Sequence, residues 1–432
     1  MSSLPPGPSG PHLLQTLGWL SRPGPYSRRL RARYGDVITV HVEQHAPWVL
    51  LGDPDDVKQV FTGDPNVLHA GEGNAILKPL LGPRSVLLLD GAEHMQHRKA
   101  ILPPFHGERM QAYGDMIRAI AAEEVATWPT GEPLATRLRT QALTLEIIMR
   151  AVFGSRDERL RAALTTLLEF IGRPSVLALS VLGTQRANRL VFDRVRAPVD
   201  ALLSELITAR RTDPRLDSRD DILSLLLTGT DMDDATLRDE LLTLLVAGHE
   251  TTATALAWAL ERLARHPGAW DRLRAGEDDY LDAVCKETLR LRPVVPAVIR
   301  MLKAPFEVGG HTLPAGVAVV PSMHLLHSRE DVYPDPLAFR PERFLERPAG
   351  TYTWIPFGGG VRRCLGASFA LFEMRWVLRA IADAVEDLQP AGRHPEGTKH
   401  RSITLAPKGD GRVIVARRTA PARRAQPVPT GR

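Results

Sequence analysis

The stretch FGGGVRRCLG, Phe357 to Gly366, carries one of only two cysteines in 432 residues. Three glycines and two arginines precede the thiol, on a turn too open to pack and too basic to bury. The residues that follow, LGASFALFEMRWVLRAIADAVEDL, have amphipathic helical spacing over about six turns. Cys364 is thereby expected at or just before a helix N-terminus, where free N–H groups and partial positive charge favour a thiolate. The glycines leave room for a flat ligand over the sulfur and let backbone N–H groups approach it. Arg362 and Arg363 suit an anionic group on such a ligand. A thiolate, space for a planar partner and a cation for its carboxylates describe a haem held through cysteine. The competing reading is a small buried hydrophobe beside an ordinary turn.

Composition narrows the field. Cys285 and Cys364 cannot build a disulfide framework and neither sits in a CxxC pair, so a reducing cytoplasm is expected and zinc is not. With 44% hydrophobic and 24% charged residues, the chain reads as an ordinary globular protein. The net charge of +5 is spread through helical stretches without a basic run interleaved with aromatics, which argues against nucleic acid as a partner. The Pro/Gly-rich opening, residues 1–25, lacks a leader pattern. Its apolar patch, Leu13 to Leu20, is far shorter than a bilayer span.

Alternating runs predict strands in DVITVHV and PWVLLGD, followed by a helix in PDDVKQVFTG and a loop region from Val67 to Asp90. From about Glu93 to Leu291 the apolar spacing is helical. Strands return in FEVGGHTLPAGVAVVPS and in RSITLAPKGDGRVIVARR, the second with a Gly-Asp-Gly turn of hairpin type. No βαβ alternation, dinucleotide fingerprint, GxSxG elbow or phosphate-binding GxxxxGK is present. The expected fold is mainly α with small β-sheets (α+β). It forms one catalytic domain over 1–418 and a disordered Pro/Arg-rich tail over 419–432.

Five further stretches accompany the cysteine turn. The helix DDATLRDELLTLLVAGHETTATALAWALERLARH is apolar on nearly every face, yet its centre carries AGHETT, Ala247 to Thr252. Thr251 is placed to bond back to the carbonyl of Ala247, loosening the turn beside Glu250. KETLRLRP puts Glu287 and Arg290 at i, i+3. HMQHR puts His94 and Arg98 at i, i+4; His94 with His97 lacks a third partner for a metal. Arg300 follows RPVVPAVI, and FRPERF contains Arg343.

Taken in order, these motifs resemble the cytochrome P450 family. Phe357, Gly360, Arg362, Cys364 and Gly366 match its cysteine-ligand signature F-x-x-G-x-R-x-C-x-G. The resemblance implies a P450-like domain with heme b between the long central helix and the helix after the cysteine turn, and Cys364 as axial ligand. It further implies Glu250 and Thr251 as an acid–alcohol pair beside Ala247 and Gly248. His94, Arg98, Arg300 and Arg362 become propionate donors, and Glu287, Arg290 and Arg343 a buried network under the turn.

The activity so implied is a monooxygenase that inserts one atom of O2 into a substrate, fed by a separate ferredoxin and flavoprotein reductase. Arg363, Lys99 and Arg375 are candidates to receive an acidic ferredoxin. Apolar segments at AILKPLLGPRSVLLL, LLEFIGRPSVLALSVLG and VVPAV suggest a lipophilic substrate: terpenoid, fatty acid or polyketide-like. Two alternatives stay open. A peroxide-driven oxygenase would not need Glu250 and Thr251, and a haem-binding sensor would need neither that pair nor an apolar pocket.

Overall fold

The long helix Asp234–Ala264 sets the frame. It begins where the Asp233 side chain accepts the N–H of Thr236, and its 31 residues span about 46 Å. Leu241, Leu245, Leu256, Trp258 and Leu260 are all fully enclosed, as expected of a helix whose middle is apolar on nearly every face. The helix Thr136–Phe153 packs along it. Thr140 Oγ1 donates to the Ala253 carbonyl (2.9 Å) and Thr144 Oγ1 to that of His249 (3.2 Å). Gly248 allows this approach, because an added Cβ would stand 3.2 Å from Ile148. The computed structural model describes residues 4–42, 45–105, 109–182 and 185–417; the expected tail 419–432 lies outside them.

A five-stranded sheet stands beside the helices, in the order Val37–Val40, Trp48–Leu51, Ala318–Pro321, Arg300–Leu302, Leu68–His69. Its alternation is clean. Val49, Leu51 and Val319 join one core cluster, whereas Leu50, Ala318 and Val320 join another on the opposite face. The strands expected in DVITVHV and PWVLLGD are its first two, antiparallel with Val37 opposite Leu51. Pro54–Thr62 is helical as expected. The region read as loop contains a short strand and short helical turns between Leu68 and Leu81.

Two local expectations are corrected. The helix after the cysteine turn runs from Ala367 to Ala384, not to Leu388. Val385–Pro390 is instead a strand that pairs with Arg412–Arg417 and buries Val385 and Leu388. Sheet pairing outweighs the helical spacing there. The Gly-Asp-Gly turn does not close a hairpin. Thr404–Pro407 pairs back onto Thr398–Arg401, while Arg412–Arg417 lies between Val385–Pro390 and Pro133–Ala135. Asp410 and Gly411, both left-handed (φ 65° and 66°), redirect the chain, and Arg137 Nε fixes Asp410 at 2.7 Å.

The opening segment folds against the sheet as two helices, His12–Ser21 and Pro23–Tyr34. Gln15 turns inward to bind the Pro8 and Gly10 carbonyls and the His41 N–H, which leaves Leu13, Leu14 and Leu17 outside. Among the described residues no single helix is long and apolar enough to cross a membrane. The architecture is mainly α with small sheets, as the sequence implies.

Candidate active site

A cavity of 1590 Å³ opens between the central helix and the cysteine turn, lined on one side by Ala247, Gly248 and Thr251 and on the other by Phe357, Cys364 and Gly366. The turn is tightly built. The Cys364 N–H donates to the Phe357 carbonyl (2.9 Å), and Gly360 is left-handed (φ 63°) with its Cα pressed on the Phe61 backbone. A Cβ there would stand 1.9 Å from the Phe61 carbonyl oxygen. Gly360→Ala should therefore displace the turn. Backbone strain alone costs about 1–3 kcal/mol, and a sharply lower haem-to-protein ratio after purification is the expected result.

Cys364 exposes its surface to the cavity it lines. Burial pushes its thiol above the usual range, against the pull of the Gly366 N–H, Arg98 and Arg363. Helix Ala367–Ala384 starts three residues later. The backbone N–H at the helix end and the two arginines act in the direction the sequence reading expects, toward the thiolate, while burial acts against them.

Four cationic or donor side chains from three elements meet at the cavity edge. His94 and Arg98 come from helix Gly91–Ile101, Arg300 from the sheet and Arg362 from the cysteine turn. Burial, then the charges of Arg362 and Arg98, lowers His94 to about 4, so the ring is a neutral donor. Burial also lowers Arg300 and Arg362 to about 10. Arg362 is partly engaged, by Asp90 Oδ1 (2.5 Å) and the Leu89 and Val86 carbonyls. Among the described residues, the Arg300 side chain reaches only the Ile299 carbonyl, and the side chains of His94 and Arg98 have no hydrogen-bond or ion-pair partner.

Beneath the turn, Glu287 is fully buried and holds both arginines of its network. Arg290 donates at 2.6 and 2.8 Å and Arg343 at 3.1 Å. The neutral ring of His327, whose pKa burial and Arg290 lower to about 3, carries the network onward. It bonds the Arg290 carbonyl through Nδ1 and accepts the Ile355 N–H at Nε2 (both 3.1 Å). The Ile355 carbonyl takes the Gly358 N–H (2.9 Å), at the head of the cysteine turn.

Across the cavity, Thr251 Oγ1 donates to the Ala247 carbonyl (2.6 Å), as its spacing predicts. The helix nevertheless continues unbroken to Ala264, so the opening there comes from the small side chains of Ala247 and Gly248. Glu250 is held at both oxygens, by Arg401 Nε (3.0 Å) and Gln141 Nε2 (2.5 Å). His249 faces Thr144 (Nδ1 to Oγ1, 2.9 Å), away from metal ligation; among the described residues no group of side chains could hold a metal ion through His, Cys, Asp and Glu together.

The comparisons agree with this geometry. The Cytochrome P450 family model matches residues 5–407. The chain belongs to the cytochrome P450 family. It is 42% identical over 434 residues to cytochrome P450 135B1 of Mycobacterium tuberculosis, covering 95% of this chain and 91% of the relative. Cytochrome P450 135A1 of the same species is 39% identical, with 94% of each chain covered. Among solved structures, the retinoic-acid-bound cyanobacterial CYP120A1 matches with a TM-score of 0.85 at 25% identity, covering 96% of this chain and all of that one. CYP175A1 from Thermus thermophilus matches at 0.73 and 27%, covering 93% and 97%.

As a cytochrome P450 the chain is a haem-thiolate monooxygenase whose cofactor is haem b. Its own residues fit that group. Arg300, His94 and Arg98 are donors left largely unengaged beside a cavity, which suits two carboxylates. A Cβ on Gly366 would meet no protein atom within 4 Å, so the space beside the sulfur is free for a planar ligand. Four participants in this P450 site had no motif to announce them: Asp90, Gln141, His327 and Arg401. Each acts through a partner far along the chain.

Proposed function

We propose that this cytochrome P450 oxidises a lipophilic small molecule of terpenoid, fatty acid or polyketide type, with electrons from a separate ferredoxin and flavoprotein reductase. One observation carries the reading: the cavity that holds Cys364 and Thr251 is continuous with apolar walls, including Ile76, Leu80, Leu168, Leu177, Val295 and Ile299. Its 1590 Å³ exceeds the roughly 300–1,000 Å³ of one small-molecule pocket, as a site for cofactor plus substrate requires. The cyanobacterial neighbour holds retinoic acid, an apolar chain ending in a carboxylate, which supports the same substrate class.

Haem b, when bound, supplies the oxygen activation and redox chemistry. Cys364 is its ligand, and His94, Arg98, Arg300 and Arg362 receive its carboxylates. Phe357, Gly360 and Gly366 shape the turn around the sulfur; Ala247 and Gly248 keep the opposite face clear. Thr251 presents a hydroxyl to the cavity, and Glu250 governs the proton it passes. Lys99, Arg363 and Arg375 are exposed and, among the described residues, free of ion pairs, which suits an acidic electron donor. Cysteine usage supports a cytoplasmic setting.

Thr251→Ala tests the dioxygen reading against the peroxide-driven one. With surrogate ferredoxin and reductase, product per electron should fall about tenfold, equivalent to ~1.4 kcal/mol, while hydrogen peroxide release rises and haem content stays unchanged. Equal product in wild type and variant, sustained by added peroxide alone, would favour the peroxide-driven enzyme.

A further inference from the structure

Glu250 does not stand free beside Thr251. Arg401, which binds its Oε1, is the last residue of strand Thr398–Arg401. The next two residues, Ser402 and Ile403, form the tip of that hairpin and line the cavity. The hairpin is pinned to the central helix itself, because Trp258 Nε1 donates to the Leu405 carbonyl (2.9 Å). Thr404 Oγ1 closes the turn on the Arg401 carbonyl (2.8 Å).

The guanidinium also has a second neighbour. Gly172 ends the helix Glu158–Ile171 and lines the same cavity. A Cβ on Gly172 would stand 2.2 Å from Arg401 Nη2, so the missing side chain is what admits the guanidinium. The second carboxylate oxygen is held independently, since Gln141 is itself gripped by Arg137 Nη1 (2.7 Å). A buried carboxylate held by charge-assisted bonds keeps one orientation until a partner moves.

We infer that Arg401 is a positioning residue for the reaction: it sets the orientation of Glu250, and Gly172 and the Ser402–Ile403 tip set the position of Arg401. The inference rests on the reading that Glu250 governs proton delivery. Contact of a bound molecule with the hairpin tip, or a shift of the helix end at Gly172, would then be transmitted to the acid through one guanidinium.

The test uses haem-loaded full-length protein in four forms: wild type, Glu250→Gln, Arg401→Gln and the double variant, with Arg401→Lys and Gly172→Ala alongside. The first readout is thermal unfolding. Arg401→Gln should lower the melting temperature by several degrees, and most of that shift should vanish in the Glu250→Gln background. The second is oxygen consumption without substrate, driven by a plant-type ferredoxin and its NADPH-dependent reductase, in water and in deuterium oxide.

Misplacing the acid should change the rate on the order of tenfold and alter the solvent isotope effect. Arg401→Lys should restore part of both, and Gly172→Ala should mimic Arg401→Gln. Equal melting shifts in both backgrounds would overturn the inference. So would an unchanged isotope effect in Arg401→Gln when Glu250→Gln changes it. An unchanged isotope effect in Glu250→Gln would instead overturn the proton role of Glu250 on which the inference rests.

Discussion

Cys364→Ser is expected to abolish the strongly red-shifted carbon monoxide band of the dithionite-reduced protein and to cut turnover at least about a hundredfold, ~2.7 kcal/mol in barrier. The substitution is nearly isosteric and leaves the Cys364 N–H to Phe357 carbonyl bond in place, so the turn itself should survive. What changes is the donor. A serine hydroxyl gives up its proton far less readily than a thiol, and burial here already pushes even the thiol upward. Cys285→Ser is the control. Cys285 is fully enclosed in helix Asp278–Leu291, and burial drives its thiol strongly upward, so it cannot substitute as ligand and its loss should keep the band. A red-shifted band surviving in Cys364→Ser would remove the assignment of the ligand, and with it the role given to the whole turn.

What could be read from the sequence follows from how local each interaction is. The cysteine turn, the i, i+3 pair Glu287–Arg290 and the Thr251 back-bond are set by spacing along a few residues, and all three stand where spacing puts them. Arg343 needed the family resemblance, because its bond to Glu287 spans 56 positions. Arg401 and Gln141 meet Glu250 across 151 and 109 positions, and Asp90 meets Arg362 across 272; no local pattern marks such partners. The balance of forces on the Cys364 thiol is legible only in part for a related reason. Charge near a helix end is visible in sequence, whereas desolvation depends on everything that packs around the sulfur. Val385–Leu388 similarly reads as helical in sequence, because the partner strand of Val385–Pro390 begins only at Arg412.

Glu287→Ala should leave little folded, haem-containing protein. The carboxylate is fully buried and is the one acceptor shared by Arg290, Arg343 and the Arg340 N–H. Its removal leaves two buried guanidinium groups, stacked on the same Tyr333 ring, facing each other without a counter-charge. Removing one partner of a buried pair costs about 3–5 kcal/mol, a large part of the ~5–15 kcal/mol that typically separates folded from unfolded chains. The remaining bonds of Arg290, to the carbonyls of His327, Pro336 and Ala338, cannot replace a negative charge. Because His327 passes the register of this network to Ile355 and so to the cysteine turn, haem retention should fail together with stability. Glu287→Gln separates the two contributions: the amide keeps shape and one acceptor but not charge, so it should fold less stably and retain haem partially. Haem-to-protein ratio and chemical unfolding of both variants measure this, and a Glu287→Gln protein with full haem content and wild-type unfolding midpoint would show that charge in the network is dispensable.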